Sequence, residues 1–312
     1  MRSKVQVLIM VKNAEDSITN TIKSYQGKVY RIKIFDTGST DNTVSIVESL
    51  GYKVNKIHFE DFSQARNECL DKSVNNTDFT MFVDDSYELG SSLDILDKIP
   101  KSVNCISVTI KRGSVEYNSK RIIRTNSKLR YYGSVHEDIR TSFSFVSNII
   151  LNDVYYPRHL ERTRSRLFDD IKMLSGKKDP RSVYFYANML FKLLERQLVH
   201  YNVVKNAYDY RISMCTDPEE EFICCMNNGL ILAVNEDPEF ERYYILASLR
   251  FPPRRCESYF YLWLCTNKEK YLELAYKSCE PCKSRMPKDE SLYSENGLIA
   301  KKYFEVKNSC QL

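Results

Sequence analysis

Glycine and proline are scarce in this chain, nine of each among 312 residues, which excludes a collagen-like repeat and any long flexible linker tract. Long apolar runs are missing. None approaches the ~20 residues that a membrane-spanning helix needs. Met1 to Met10 lack the extended apolar core of a secretory leader and read as a short strand. A cytoplasmic location is therefore expected, with the ten cysteines as reduced thiols. The Asn75-Asn76-Thr77 sequon carries little meaning without secretion. Histidine occurs only four times and tryptophan once. Neither a P-loop nor a G-x-G-x-x-G fingerprint is present, which removes two common nucleotide-binding designs. Excess charge is small, +5 from 46 basic and 41 acidic side chains, so no nucleic-acid partner is expected.

Hydrophobic residues make up 43% of the chain, enough for packed cores, and the length implies two domains. Val5 to Val11, Tyr30 to Phe35, Tyr52 to Ile57 and Phe79 to Val83 read as strands, with Asn104 to Ile110 and Arg121 to Arg124 as further ones. Helical patterns fall between the first four, over Ser17–Tyr25, Thr40–Leu50 and Phe62–Ser73. Strands alternating with short helices predict an α/β sheet with mostly parallel pairing. After about residue 160 the strand signals fade and helical periodicity takes over. Asp179-Pro180, Asp217-Pro218 and Pro252-Pro253 stand about 35 residues apart, close to the repeat length of tetratricopeptide hairpins. Each precedes an aromatic-rich helical run, and those aromatics read as core packing between helices, or else as a surface for an acceptor or a second copy of the chain. The expected division is an α/β domain over residues 1–158 and an all-α domain over 159–312. A homodimer through the helical half is the oligomer considered.

Four segments carry candidate chemistry. Asp36 ends a strand and opens Asp36-Thr37-Gly38-Ser39-Thr40-Asp41-Asn42-Thr43, which runs into a helix. Ligands of open α/β sheets bind beyond the carboxyl ends of the strands, so Asp36 is placed to meet a base or ribose, or else caps a turn. Asp84 and Asp85 end the next candidate strand, where adjacent carboxylates repel unless a cation lies near. Hard oxygen ligands there suit Mg²⁺ or Mn²⁺, and such ions suit diphosphates. Gly133-Ser134-Val135-His136-Glu137-Asp138 sets one histidine beside two carboxylates, a possible metal ligand and general base, or a structural loop histidine. In Asp61-Phe62-Ser63-Gln64-Ala65-Arg66-Asn67, Arg66 lies near a helix start and could grip a phosphate or pair with Asp36 or Asp84. Two basic runs, Lys111–Arg130 and Arg158–Lys178, read either as solvated faces or as attraction for an anionic diphosphate. Cys256, Cys265 and the Cys279-x-x-Cys282 pair offer a weaker zinc pattern.

Taken in order, Met10-Val11-Lys12-Asn13-Ala14-Glu15, Asp36–Thr43, Asp61–Asn67, Asp84-Asp85-Ser86 and Val135-His136-Glu137 resemble the motifs of family-2 glycosyltransferases of the GT-A fold. The nearest subgroup joins that Rossmann-like domain to tetratricopeptide-like helices. The resemblance implies an inverting, metal-dependent transfer from a nucleotide-sugar, a UDP-sugar foremost, to a glycan or protein acceptor. It implies that Val11, Asn13 and Glu15 line the nucleoside site and that Asp36 meets the base. Arg66 would lie near the base or diphosphate. Asp84 and Asp85 would hold ribose and metal, His136 would be a further Mn²⁺ or Mg²⁺ ligand, and Glu137 or Asp138 would be the catalytic base. Two departures stand out: Ala14 replaces the first Glu of the usual K-N-E-E, and Ser86 replaces the second Asp of D-x-D. They keep a second reading open, a non-catalytic domain that binds a nucleotide or a partner. The sugar and the acceptor are not readable.

Overall fold

The structure, a computed structural model, describes residues 2–73, 76–113, 115–141, 143–156, 158–250, 255–278 and 298–309. Asn75, the Pro252-Pro253 pair, Cys279 and Cys282 lie outside them. The chain divides into two compact units, Met1–Met173 and Leu174–Leu312. The 158/159 boundary expected from sequence falls at the first residue of a helix, Arg158–Leu174, most of which belongs to the first unit.

In the first unit the strands are β1 (Val5–Val11), β2 (Arg31–Asp36), β3 (Val54–Lys56), β4 (Phe79–Asp84), β5 (Tyr87–Leu89), β6 (Cys105–Arg112), β7 (Val115–Arg124), β8 (Tyr131–Tyr132), β9 (Asp138–Ile139) and β10 (Phe145–Asp153). Eight of them form one sheet in the order β3-β2-β1-β4-β7-β6-β10-β5, while β8 and β9 pair separately. The helices α1 (Ile18–Tyr25), α2 (Thr43–Ser49) and α3 (Phe62–Asp71) make the crossovers, and α4 (Arg158–Leu174) follows the sheet. Strand β1 is buried on both faces apart from Met10, as expected for a central parallel strand. It pairs in parallel with β2 on one side and β4 on the other. That register sets Val11 opposite Asp36 and Met10 opposite Asp84. Two carboxylates 48 positions apart in sequence thus reach the same sheet edge, with their backbones about 10 Å apart across two strand spacings.

Strand β7 runs antiparallel to both β4 and β6, so the sheet is mixed beyond β4. The short strand expected at Arg121–Arg124 is the end of this longer one. Helix α2 starts at Thr43 rather than Thr40 because the Asp41 carboxylate accepts from the Thr43 N–H at 3.0 Å, holding the preceding residues in a turn.

The second unit contains α5 (Pro180–Glu195), α6 (Tyr201–Ser213), α7 (Pro218–Val234), α8 (Phe240–Arg250), α9 (Glu257–Thr266), α10 (Glu269–Lys277) and α11 (Leu298–Ser309). Each of these helices packs on the next. The Asp-Pro pairs do what their chemistry predicts: Asp179 caps α5 and Asp217 caps α7 through their carboxylates, with proline in the first turn. Tyr184, Tyr259 and Phe260 are buried, the core-packing outcome for those aromatic runs. Fully buried Arg211 ties α6 to α7 by a 2.7 Å bond to Glu220. Among the described residues no helix is long and apolar enough to cross a membrane.

Candidate active site

The carboxyl edge of β1, β2 and β4 is built from loops that hold one another. Asn13 takes a left-handed backbone (φ 51) after β1. Its N–H donates to Ser39 Oγ at 2.9 Å, and its Oδ1 accepts from the Thr40 N–H at 2.7 Å. Glu15 Oε2 accepts from both the backbone N–H and the Nδ2 of Asn42, at 3.0 and 2.9 Å. The Val11 carbonyl accepts from the Thr37 N–H at 3.0 Å. In this structure Val11, Asn13 and Glu15 therefore clamp the Asp36–Thr43 loop. Ala14 is fully buried and donates its N–H to Thr43 Oγ1 at 2.6 Å, so its methyl group does not face the cleft.

Asp36, only 3% exposed, accepts from the Gly38 and Ser39 N–H groups at 3.1–3.2 Å. Gly38 (φ 104) supplies the backbone conformation this turn requires, one that side-chain-bearing residues rarely adopt. A cleft of about 400 Å³ opens beside Asp36, lined further by Lys12, Thr37, Gly38, Lys56, Ile57, His58 and Phe59. Lys56 to Phe59, at and after the end of β3, were not singled out from sequence. They follow a strand that carries no motif of its own.

The second half of the site centres on Arg66, which is 2% exposed. Asp61 starts α3 as its cap, accepting from the Gln64 N–H, and that helix presents Arg66 to the end of β4. Arg66 Nη2 donates to Asp84 Oδ1 at 2.7 Å, and Nε donates to Glu137 Oε1 at 2.5 Å. The guanidinium packs against the edge-to-face pair of Phe82 and Tyr131, 5.6 and 5.4 Å from their centroids, which are themselves 5.1 Å apart. Arg121, from β7, grips Asp84 from another side, with Nη1 and Nη2 each 3.2 Å from a carboxylate oxygen. It also stacks 5.0 Å above the Tyr87 ring. Burial works against the charge on Asp84, but Arg121 and Arg66 overcome it and hold the carboxyl well below the usual range.

The remaining expected residues go elsewhere. Asp138 pairs with Lys120 at 2.8 Å and does not join the Arg66 group. His136 is exposed, with a left-handed backbone (φ 54). The Asp85 carbonyl accepts from Thr21 Oγ1 at 2.7 Å. Ser86 is buried and donates its hydroxyl to Asp153 Oδ1 at 3.0 Å. Most of the Lys111–Arg130 run is engaged within the protein: Lys111 with Glu116, Arg112 with Asp153, Lys120 with Asp138, and Arg130 with Asp71. Only Arg121 of that run reaches Asp84.

Residues 6–154 match the model of Glycosyl transferase family 2. Residues 6–154 are a family 2 glycosyl transferase domain. The SPbeta prophage-derived glycosyltransferase SunS of Bacillus subtilis (strain 168) is 25% identical over 211 residues, 59% of this chain and 49% of that protein. The chain thus spans about half the length of the curated relatives it matches. Among solved structures, S. aureus TarS 1-349 aligns over 79% of this chain and 91% of its own, at 15% identity and a TM-score of 0.43. Glucosyl-3-phosphoglycerate synthase from Mycobacterium tuberculosis, in complex with Mg²⁺ and uridine diphosphate, aligns over 36% and 44%, at 18% identity and a TM-score of 0.30.

The residues of the transferase domain do not form the expected metal set as they stand. Both Asp84 oxygens are already taken by guanidiniums. Ser86, where a second carboxylate was expected, turns to Asp153. Asp84, Asp85 and His136 do not converge; among the described residues no three His, Cys, Asp or Glu side chains do. Of the zinc pattern, Cys256 is buried and Cys265 exposed, while Cys279 and Cys282 lie outside the described residues.

Proposed function

We propose that the chain transfers a sugar from a nucleotide-sugar, a UDP-sugar in the first instance, to a hydroxyl of a glycan or protein acceptor, with inversion at the anomeric carbon. One observation carries most of this reading. Asp36, Asp84, Arg66 and Glu137 come from four separate motifs, and all stand at the carboxyl edge of the parallel strands β2, β1 and β4, in a segment that matches the family model. The base would occupy the cleft beside Asp36. Lys12 and Lys56 line that cleft and would offset the negative charge that grows on the departing nucleoside diphosphate.

Glu137 serves as the base in this reading. One of its oxygens is held by Arg66, and no protein group among the described residues donates to the other. As the acceptor oxygen attacks the anomeric carbon, its proton passes to that second oxygen of Glu137. The bond from the anomeric carbon to the diphosphate oxygen breaks on the opposite face, which inverts the centre. Asp138, bound to Lys120, is the less suited of the two carboxylates.

The test is turnover of a panel of UDP-sugars, with and without acceptors, by wild type and Glu137→Gln. The variant should lose about 100- to 10,000-fold in turnover, the usual worth of a general base. It should keep its thermal shift with UDP, which at ~100 times the dissociation constant amounts to about 2.7 kcal/mol. Because Asp84 is occupied by arginines, the UDP shift should be the same in EDTA and in Mn²⁺. A second reading, nucleotide binding without transfer, is favoured by the Ser86–Asp153 bond at the D-x-D position. It predicts the UDP shift with no turnover in wild type.

A further inference from the structure

Arg66 is buried to 2% exposure inside the domain, yet it is not a lone structural cation. Its two bonds run to carboxylates on different segments: Asp84 at the end of β4, and Glu137, 71 positions away in sequence, just before β9. Four contacts restrain its guanidinium: the two carboxylates and the edge-to-face ring pair of Phe82 and Tyr131 packed against it. Asp84 is itself immobilised by the two-point grip of Arg121. The segment that carries Glu137 is short and has little regular structure of its own; β9 has only two residues. What locates the Glu137 carboxylate in the described structure is the Arg66 Nε–H.

We propose that Arg66 is a positioning residue for the base, acting on catalysis through Glu137 and not through contact with the donor. The inference rests on the reading of Glu137 as base. A planar fork with separate N–H directions can hold Asp84 and Glu137 at once. A lysine ammonium supplies the charge but not that fixed geometry. With the anchor loosened, the base drifts from the acceptor hydroxyl, and a misplacement near 1 Å costs on the order of 100-fold in rate.

The experiment is a double-variant cycle on kcat and on donor KM, using the full chain. Arg66→Lys is expected to lower kcat by about 10- to 100-fold with donor KM within about twofold of wild type. The double variant Arg66→Lys/Glu137→Gln is expected to be no slower than Glu137→Gln alone, because an anchor has no effect once the base is gone. Phe82→Leu keeps every charged group and removes one ring from the guanidinium. It should show a smaller kcat loss, also absent in the Glu137→Gln background, and it serves if Arg66→Lys does not fold. Multiplying losses in the double variant, or a raised donor KM at unchanged kcat, would overturn the inference and make Arg66 a donor contact. Wild-type turnover in Glu137→Gln alone would overturn the base assignment and this inference with it, a result distinct from multiplying losses, where the base stands and only the role of Arg66 fails.

Discussion

Asp84 shows how a single side chain sets local energetics. Two oxygens carry three guanidinium hydrogen bonds, and the charges of Arg121 and Arg66 outweigh the cost of burial, so the folded carboxyl titrates below its unfolded value. The sign of the pH effect follows. The stabilisation is complete above the unfolded value of about 3.9 and is lost as the pH falls towards the lower folded value. From pH 5 to 8 it is constant. Asp84→Asn should cost about 3 kcal/mol at pH 7, because Arg121 loses its carboxylate partner and buried Arg66 keeps only Glu137. The variant should also lose less stability than wild type between pH 5 and pH 3. Urea titrations at pH 7, 5 and 3 measure both, and an equal acid loss in the two proteins would show that other carboxylates dominate. Asp36, Asp84 and Arg66 were legible in the sequence because each belongs to a compact motif at a predicted strand or helix end, and Glu137 because it stands in the compact Gly133–Asp138 motif read as a loop. Arg121 was not. It stands in a run of seven basic residues between Lys111 and Arg130, and only the antiparallel pairing of β7 with β4 distinguishes it from its neighbours.

Elements were legible where periodicity and punctuation agreed. The strands of the parallel half and the starts of α5 and α7 follow from apolar runs and Asp-Pro pairs. Strand β10 went unread because Ser147 and Asn148 interrupt its apolar pattern, and it is held by β6 and β5 on either side. The two-residue strands β8 and β9 are too short to leave a signal. Packing adds constraints that propensity does not carry, and Gly229 in α7 is one. In isolation, alanine there would favour the helix by about 1 kcal/mol. A Cβ at Gly229 would instead lie 2.6 Å from a ring carbon of Tyr244 on α8. That ring is 1% exposed and stacked on Tyr261, so it has little room to yield. Overpacking of this kind costs about 1–3 kcal/mol, so Gly229→Ala should be net destabilising and lower the melting temperature. A rise in melting temperature would mean that the α7–α8 contact is looser than these distances imply.

At the scale of the molecule, the change from α/β alternation to helical periodicity near residue 160 was legible, but the place where one unit ends was not. Sequence sets the boundary where strand signals stop, at 158/159. Contacts set it at the far end of α4, between Met173 and Leu174. Arg166 in α4 lies 5.5 Å from the ring centroid of Phe62, the first residue of α3, which links this helix to the one that carries Arg66. Periodicity cannot reveal such a link, because a helix reads the same whichever core it joins. The first unit also has its own hydrophobic core, from Val5 to Leu151, as an independently folding domain requires. A fragment of residues 1–173 should therefore unfold cooperatively and keep the UDP-induced shift of the full chain. A fragment ending at residue 157 lacks α4 and should melt at a lower temperature. Equal melting of the two fragments would assign α4 to the helical half and restore the boundary drawn from sequence.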